Sequence, residues 1–398
     1  MVSRDPKTRT RFNDPAYGWA LPGLLAALVL AALVAASAEA GQVEAAQEPS
    51  PSPEYRRLQA TLDDYRRIEQ AGGWPSVPPG PTIEPGSRDQ RIPTLARRLE
   101  LTGDLDLGAS FSSRQDDAYA EGLQAAVHRF QSRHGLEPDM RVGRATLREL
   151  NVQVGERVEQ LLRNLERTRR VFDAAPKDFL LVNVPAFEAR LIHEGRTTWT
   201  TRVIVGEIEM ATPTFETVLK SVVLNPTWVV PRKIATEEFL PKIQANRAFL
   251  SRGGYAVLGL DGSVVDPATI DWSALSVDNF PYRLVQEPGP VNEVGQVKFL
   301  IPNDYGVCMH DTPGKRLFAR DSRAFSHGCV RVDRPLDLAE QVLAPSGWTR
   351  EQIDAELATA KTHSIPLDEP LPVVITYLTA FVEADGTVFF YRDIYGRD

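Results

Sequence analysis

The chain has 398 residues, with 45 Lys and Arg against 53 Asp and Glu, a net charge of −8. With 42% hydrophobic and 25% charged residues it has ordinary globular composition, which excludes a disordered or fibrous chain, and its length suggests about two or three domains. The acidic balance without a Lys/Arg block argues against a nucleic-acid binder, and two cysteines, Cys308 and Cys329, are too few for a disulfide scaffold.

Residues 1–15 carry Arg4, Lys7, Arg9 and Arg11 and are net positive. An uncharged Ala/Leu-rich run from Trp19 to Ser37 follows, then Ala38-Glu39-Ala40, the small-residue pattern of an export cleavage site. Residues 1–40 are therefore expected to be a secretory signal, or an uncleaved N-terminal membrane anchor, since the run is also long enough to span. Either way the remaining chain is expected outside the cytoplasmic membrane.

Residues 41–93 read as a Pro-rich linker containing one short helix, with Tyr55, Leu58, Leu62 and Tyr65 at helical spacing. The stretch 74–93 holds six prolines and predicts an extended segment. Residues 94–154 read as a compact helical unit: Leu123, Val127, Phe130 and His134 share one face, and a further helix after Gly143 buries Leu147 and Leu150. A connecting helix is expected over 155–176, carrying Val158, Leu161, Leu162, Leu165 and Phe172. From 178 the period changes to two, in Leu180/Val182/Val184, Phe187/Ala189/Leu191 and Thr201/Val203/Val205. Further strands are expected over 218–224, 296–301 and 305–310, and a hairpin over 373–392 turning at Asp385-Gly386. Residues 232–282 break the strand pattern with a helical start and polar Gly-rich turns, and read as an insertion between two strands, a candidate lid.

The densest chemistry lies in 305–334, where both cysteines sit beside two histidines, as Cys308-x-His310 and His327-x-Cys329. Three readings are open on residue types. A cysteine nucleophile with a histidine base would need a nearby cation, which Arg331 and Arg334 could supply, and a close backbone approach, which Gly328 allows. Backbone N–H groups around Gly328 and Cys329 could then face an oxyanion. A second reading is a Cys₂His₂ metal site, since period-two spacing puts each pair on one strand face. The third is a structural disulfide, or small buried cysteines, with histidines satisfied in the core.

Ser326-His327-Gly328-Cys329-Val330-Arg331, with His310 upstream, resembles the signature of the L,D-transpeptidase family with a YkuD-type catalytic domain. The likeness extends to Leu224–Trp228, Gln286–Pro290, Gly295–Phe299, His310–Pro313 and Asp393–Asp398, which are similar to the large periplasmic, YcbB-like branch. Ala126–Gln131, His134–Leu136 and Gly143–Leu147 resemble a helical peptidoglycan-binding domain. The resemblance implies an α+β multidomain chain: a small all-α peptidoglycan-binding domain at 94–154, then a β-rich YkuD-like catalytic domain at 177–398 with a partly helical lid insertion at 232–282. It implies Cys329 as nucleophile and His310 as base, the histidine being oriented by a backbone carbonyl and not by Asp311, with Ser326, His327, Gly328 and Arg331 lining the site for substrate binding or the oxyanion.

The implied reaction is peptidoglycan L,D-transpeptidation. The Cys329 thiolate attacks the third-residue carbonyl of a stem tetrapeptide, D-Ala leaves, and an amine resolves the thioester to a 3→3 cross-link. Resolution by water would make the protein an L,D-carboxypeptidase instead. Neither needs a metal or a nucleotide, the expected partners are peptidoglycan stem peptides and glycan, and a monomer is expected. The resemblance further implies acylation of the cysteine by carbapenems. Two departures stand out. Where this branch usually has tyrosine two residues before the histidine, the chain has Cys308, and Asn292-Glu293-Val294-Gly295 replaces a more usual Asn-Ala-Leu-Gly. Because strands alternate faces, Cys308 projects to the side of His310. It either fills the space of the missing ring or pairs with Cys329 in an oxidised, inactive disulfide.

Overall fold

The computed structural model describes residues 50–105, 117–173 and 175–398. The expected export segment over 1–40 and the first residues of the linker lie outside the described residues, as does part of the helical unit at 106–116. Among the described residues no helix is long and apolar enough to cross a membrane.

Helix α1 (Pro53–Gln70) starts where the Ser52 hydroxyl accepts the Tyr55 N–H at 3.3 Å and Pro53 fixes the first-turn φ. Helices α2 (Ile92–Leu101), α3 (Glu121–Arg133) and α4 (Arg144–Leu150) build the helical unit around Leu95, Leu99, Leu123, Val127, Phe130 and Leu150. The prolines of 74–93 do impose extended backbone, but this stretch is not a linker. Val77 and Ile83 between them are buried, as is Trp74 just before the first, Ile83 pairs with Val142, and the unit's core begins at Val77. The apolar residues spaced between prolines supply the burial that a solvated linker lacks.

Helix α5 (Val154–Phe172), opened by a Gln153/Glu156 capping box, packs along α1 through Leu58, Leu62, Val158, Leu161 and Leu165. The same core takes in Val382, Val388 and Phe390 of a short hairpin, β14 (Ala380–Val382) and β15 (Val388–Phe390), which turns at Asp385-Gly386. The hairpin expected over 373–392 is thus only its second half. Residues 373–376 finish a 14-residue strand, β13 (His363–Thr376), that lies inside the main sheet. The apolar β14–β15 pair could not be stable as a free two-stranded ribbon, and it obtains its burial from the helices.

The main sheet runs β11-β3-β12-β10-β9-β4-β13-β1-β2 and closes on itself through β2–β3 pairing. Its members are β1 (Phe179–Asn183), β2 (Glu188–His193), β3 (Arg196–Gly206), β4 (Phe215–Leu224), β9 (Val297–Leu300), β10 (Met309–His310), β11 (Ala324–Ser326) and β12 (Val330–Val332) with β13. Alternation is plain in β1. Leu180 and Val182 enter the sheet's core, while Phe179 and Leu181 turn outward onto Val171 and Phe172 of α5. Helix α8 (Pro335–Leu343) packs into that core with Leu338, Ala339, Val342 and Leu343.

Between β4 and β9 the chain forms an insert with its own core and its own four-stranded sheet, β5 (Trp228–Val229), β8 (Tyr282–Gln286), β6 (Tyr255–Gly259) and β7 (Val264–Val265). The insert therefore extends a few residues beyond 232–282 at each end. Trp228 packs on Phe239 and Tyr255 within it. Its helical part is a π-helical turn (Ile234–Phe239) followed by α6 (Leu240–Ala245) and α7 (Ala248–Arg252). Asn292, fully buried, ties its two ends: the side-chain amide donates to the Pro226 carbonyl on entry and to those of Gln286 and Glu287 on exit, at 2.9–3.3 Å.

Candidate active site

Strand β10 is shorter than the expected 305–310. Asn303 folds the approach into a turn, its side-chain Oδ1 accepting the N–H groups of Tyr305 and Val307 and its Nδ2 donating to the Ile301 and Val307 carbonyls. The two residues that remain, Met309 and His310, lie parallel to β12 in the register Met309↔Val330 and His310↔Arg331. That register sets Cys308 beside Cys329, with Cα atoms 4.7 Å apart, and the two sulfurs are joined in a disulfide. Of the alternatives open for Cys308, the structure holds the pairing, and the other sulfur is that of the candidate nucleophile.

His310 is buried on the same face as Cys308, and the sulfurs and a ring nitrogen of His310 lie within 4.8 Å of one another. Its Nδ1 meets the backbone carbonyl of Asp311. A carbonyl only accepts, so Nδ1 carries the proton and Nε2 presents a lone pair. The Asp311 carboxylate is occupied elsewhere, accepting the Gln296 N–H at 2.9 Å and pairing with Lys315 at 2.6 Å. Gly295, at φ +64°, leaves room for that carboxylate, which a Cβ would strike. Burial, the nearby Arg331 guanidinium and Lys298 push the His310 pKa down to about 3, so the ring is neutral near pH 7. A thiolate beside it would act in the opposite sense, stabilising the imidazolium once a proton has passed from sulfur to nitrogen.

The loop leading to Cys329 is held from inside. The Ser326 hydroxyl donates to the Cys329 carbonyl at 2.5 Å and accepts the Gly328 N–H at 3.1 Å. Ser326 is thus buried and fastens the loop from inside, with the Gly328 N–H donated to its hydroxyl. Gly328 sits at φ +101°, where a side chain would be strained. Its carbonyl accepts from Thr212 Oγ1 at 2.9 Å, and the same oxygen accepts the Gly206 N–H at 2.9 Å. Tyr395 closes the set: its hydroxyl donates to the Gly206 carbonyl at 2.6 Å and accepts the Thr212 N–H at 3.2 Å. Thr212 was not legible as a site residue, because nothing in local spacing links it to a glycine 116 positions away.

The other two expected site residues, His327 and Arg331, differ in their surroundings. His327 is exposed, and its Nε2 lies 2.7 Å from Glu238 Oε1 on the π-helical turn of the insert. The insert therefore touches the cysteine loop directly, and Glu238 is a second residue that sequence reasoning missed. Arg331 on β12 is half-buried, with no hydrogen-bond partner for its buried Nε. Burial lowers its pKa while Glu293 of the Asn292–Gly295 turn acts in the opposite sense. Arg334 does not join it. Its guanidinium stacks over Trp199 and bonds the Thr200 carbonyl, so the positive potential expected from both arginines comes from Arg331 and Lys298.

The four-ligand metal reading does not hold in this arrangement. His327 is committed to Glu238, which leaves Cys308, Cys329 and His310, and sulfurs joined to each other lack the thiolate character a metal requires. A cavity of about 380 Å³ lies in the helical unit, lined by Pro78–Pro81 and Asp89–Arg91 and by none of the residues above. Its one cation, Arg91, is consumed by Asp89 and by the carbonyls of Pro78 and Pro81.

Comparison with known proteins agrees with this layout. Residues 177–375 match the YkuD family, described as the L,D-transpeptidase catalytic domain, and residues 88–150 match a peptidoglycan binding domain family. A curated L,D-transpeptidase of Haemophilus influenzae is 38% identical over 241 residues, which is 60% of this chain and 48% of that protein, so the chain spans about half the length of this relative. Among solved structures, the L,D-transpeptidase of Stackebrandtia nassauensis is 14% identical, with a TM-score of 0.28 over 75% of this chain and 97% of that one. L,D-transpeptidase 3 of Mycobacterium tuberculosis is 12% identical, with a TM-score of 0.24 over 51% of this chain and 62% of that one. With the family match covering half of its length and the helical domain preceding it, the chain belongs to the L,D-transpeptidase family.

Proposed function

We propose that this protein forms 3→3 cross-links in peptidoglycan, acting in the periplasm after export directed by residues 1–40. The observation that carries the reading is the juxtaposition of the Cys329 sulfur with a neutral, Nδ1-protonated His310 whose Nε2 is free to take a proton. In the reduced protein His310 Nε2 accepts the Cys329 thiol proton. The thiolate then attacks the carbonyl of the third residue of a stem tetrapeptide. As the tetrahedral adduct collapses to a thioester, the imidazolium returns the proton to the departing amine of D-Ala. An acceptor amine next attacks the thioester, loses its proton to His310, and leaves a new amide with the thiol restored.

Arg331 contributes positive potential on the neighbouring strand, which favours the thiolate and attracts a carboxylate. The helical domain would hold glycan or stem peptide beside the cleft. The test is incubation of the reduced protein with purified disaccharide-tetrapeptide, with products read by mass spectrometry. Cross-linked dimers with D-Ala released, lost in Cys329→Ala, are expected. Disaccharide-tripeptide alone would replace transfer with carboxypeptidase action, and no Cys329-dependent change would refute both.

A further inference from the structure

We propose that Cys308 is a resolving thiol that makes this active site a reversible thiol–disulfide exchange site, switched off when Cys308 bonds to the nucleophile Cys329 and switched on by a dithiol reductant. This rests on the assignment of Cys329 as nucleophile made above.

Backbone placement alone brings the pair together. Cys308 and Cys329 precede the first paired residues, Met309 and Val330, of two adjacent parallel strands, and the Val330 N–H donates to the Cys308 carbonyl at 2.8 Å. The Cα separation of 4.7 Å lies within the range a disulfide spans without moving the backbone. The Cys308 N–H also points at Cys329 Sγ, 3.2 Å away. Closing or opening the S–S bond therefore asks little of the strands, which their own ladder holds in register.

The bond joins strands that are already hydrogen-bonded to each other, and it occupies the one sulfur that the reaction needs. The chain has no third cysteine with which the pair could exchange, so the one internal disulfide open to it is Cys308–Cys329. Both cysteines are half-buried, not sealed, which leaves a sulfur within reach of an incoming thiol or disulfide. His310, within 4.8 Å of both sulfurs, can take the proton of either.

The exchange balances as follows. Oxidation begins when the Cys329 thiolate attacks a sulfur of an external disulfide, either a low-molecular-weight disulfide or that of an oxidoreductase, and expels one thiolate. The Cys308 thiolate then attacks the Cys329 sulfur of the mixed disulfide and expels the second. Two cysteine thiols have lost two electrons and two protons, and the external disulfide has become two thiols. Reduction is the reverse, with a dithiol as reductant. In an oxidising compartment the enzyme would rest in the bonded state and depend on a thiol reductant for activity.

The test uses the full chain equilibrated with oxidised glutathione or with dithiothreitol, alkylated with iodoacetamide, and then read by mass spectrometry. In parallel, acylation by a carbapenem is followed as added mass. Oxidised wild type is expected to alkylate at neither cysteine, to yield a linked 308–329 peptide pair, and to acylate at less than about 1% of the reduced rate, because a bonded sulfur is not nucleophilic. Dithiothreitol should restore two alkylatable thiols and the full rate. Cys308→Ala should acylate without reductant, and in oxidised glutathione it should stop at a mixed disulfide on Cys329. Two free thiols in wild type after oxidised glutathione, with acylation retained, would overturn the proposal. So would reduced thiols that alkylate only after a chelator, which would indicate a metal held by Cys308, Cys329 and His310. The thiol count in wild type needs no variant to fold. A reduced protein that fails on disaccharide-tetrapeptide would overturn the peptidoglycan reading and leave the exchange chemistry standing.

Discussion

Replacing Thr212 by valine removes one hydroxyl and almost no volume, so its cost comes from hydrogen bonding and not from a cavity. Thr212 is fully buried, and its Oγ1 serves both the Gly206 N–H and the Gly328 carbonyl at 2.9 Å. Valine leaves that N–H and that carbonyl without their partner in the interior. At about 1–3 kcal/mol for each stranded group, less the hydroxyl's own desolvation, Thr212→Val should cost about 2–4 kcal/mol. The second consequence is chemical. Gly328 immediately precedes Cys329 and loses its carbonyl anchor, and because small misplacements of a reacting group can lower rates up to about 100-fold, acylation of the reduced protein by a carbapenem should slow by at least about 10-fold. Thr212→Ser keeps both bonds, loses one methyl, and should stay within about 1 kcal/mol of wild type with near-normal acylation. Urea unfolding under reductant gives the stability difference, and mass spectrometry gives the rate. A valine variant as stable as the serine variant, acylating at the same rate, would refute the argument that Thr212 positions the cysteine loop.

Other consequences can be measured separately. His134 is buried, stacked on Phe130 and Phe390, and burial with nearby Arg133 and Arg157 holds its pKa well below the usual value. It therefore stays neutral in the folded protein while the unfolded chain binds a proton below about pH 6.5, so stability is full above that pH and falls as the medium is acidified. His310 adds a second such proton down to about pH 3. His134→Leu should flatten the acid limb of a stability–pH curve by about 1.4 kcal/mol per pH unit, and an unchanged slope would show that His134 does not carry it. Glu238→Ala should change global stability by no more than about 1 kcal/mol, since its pair with His327 is partly exposed, yet raise hydrogen exchange over the insert. Unchanged exchange there would mean that the pair does not latch the insert. Asn292→Ala strands three carbonyls and the Val294 N–H and should cost about 3 kcal/mol or more, measured by thermal unfolding, and a loss under 1 kcal/mol would show that water replaces the amide freely.

What could be read in the sequence was whatever local geometry enforces. Period two determined that Leu180 and Val182 face the core and that Cys308 lies on the side of His310, because successive side chains of a strand must alternate. Helical spacing likewise marked Leu58, Leu62, Val127 and Phe130 as buried. The chemistry of 305–334 was dense enough to mark the region but left three readings open, and the resemblance to the L,D-transpeptidase signature was what implied Cys329 and His310 as nucleophile and base, with pairing left as one outcome for Cys308. The prolines of 74–93 misled, because they do set extended backbone, and extended backbone is equally good at packing Val77 and Ile83 into a core.

The rest depended on pairings with no local signature. Residues far apart in number meet only when sheet closure and docking bring them together, so Thr212 reached Gly328, Glu238 reached His327, and the β14–β15 hairpin left the sheet to cover α1 and α5. Each partner satisfies a hydrogen bond or an apolar face that its own segment leaves open, which is a property of the whole packing arrangement and not of neighbouring residues. The two cysteines show both levels at once. Strand alternation placed Cys308 on the correct face, but only the register of β10 against β12, set by how the closed sheet assembles, brought its sulfur to Cys329.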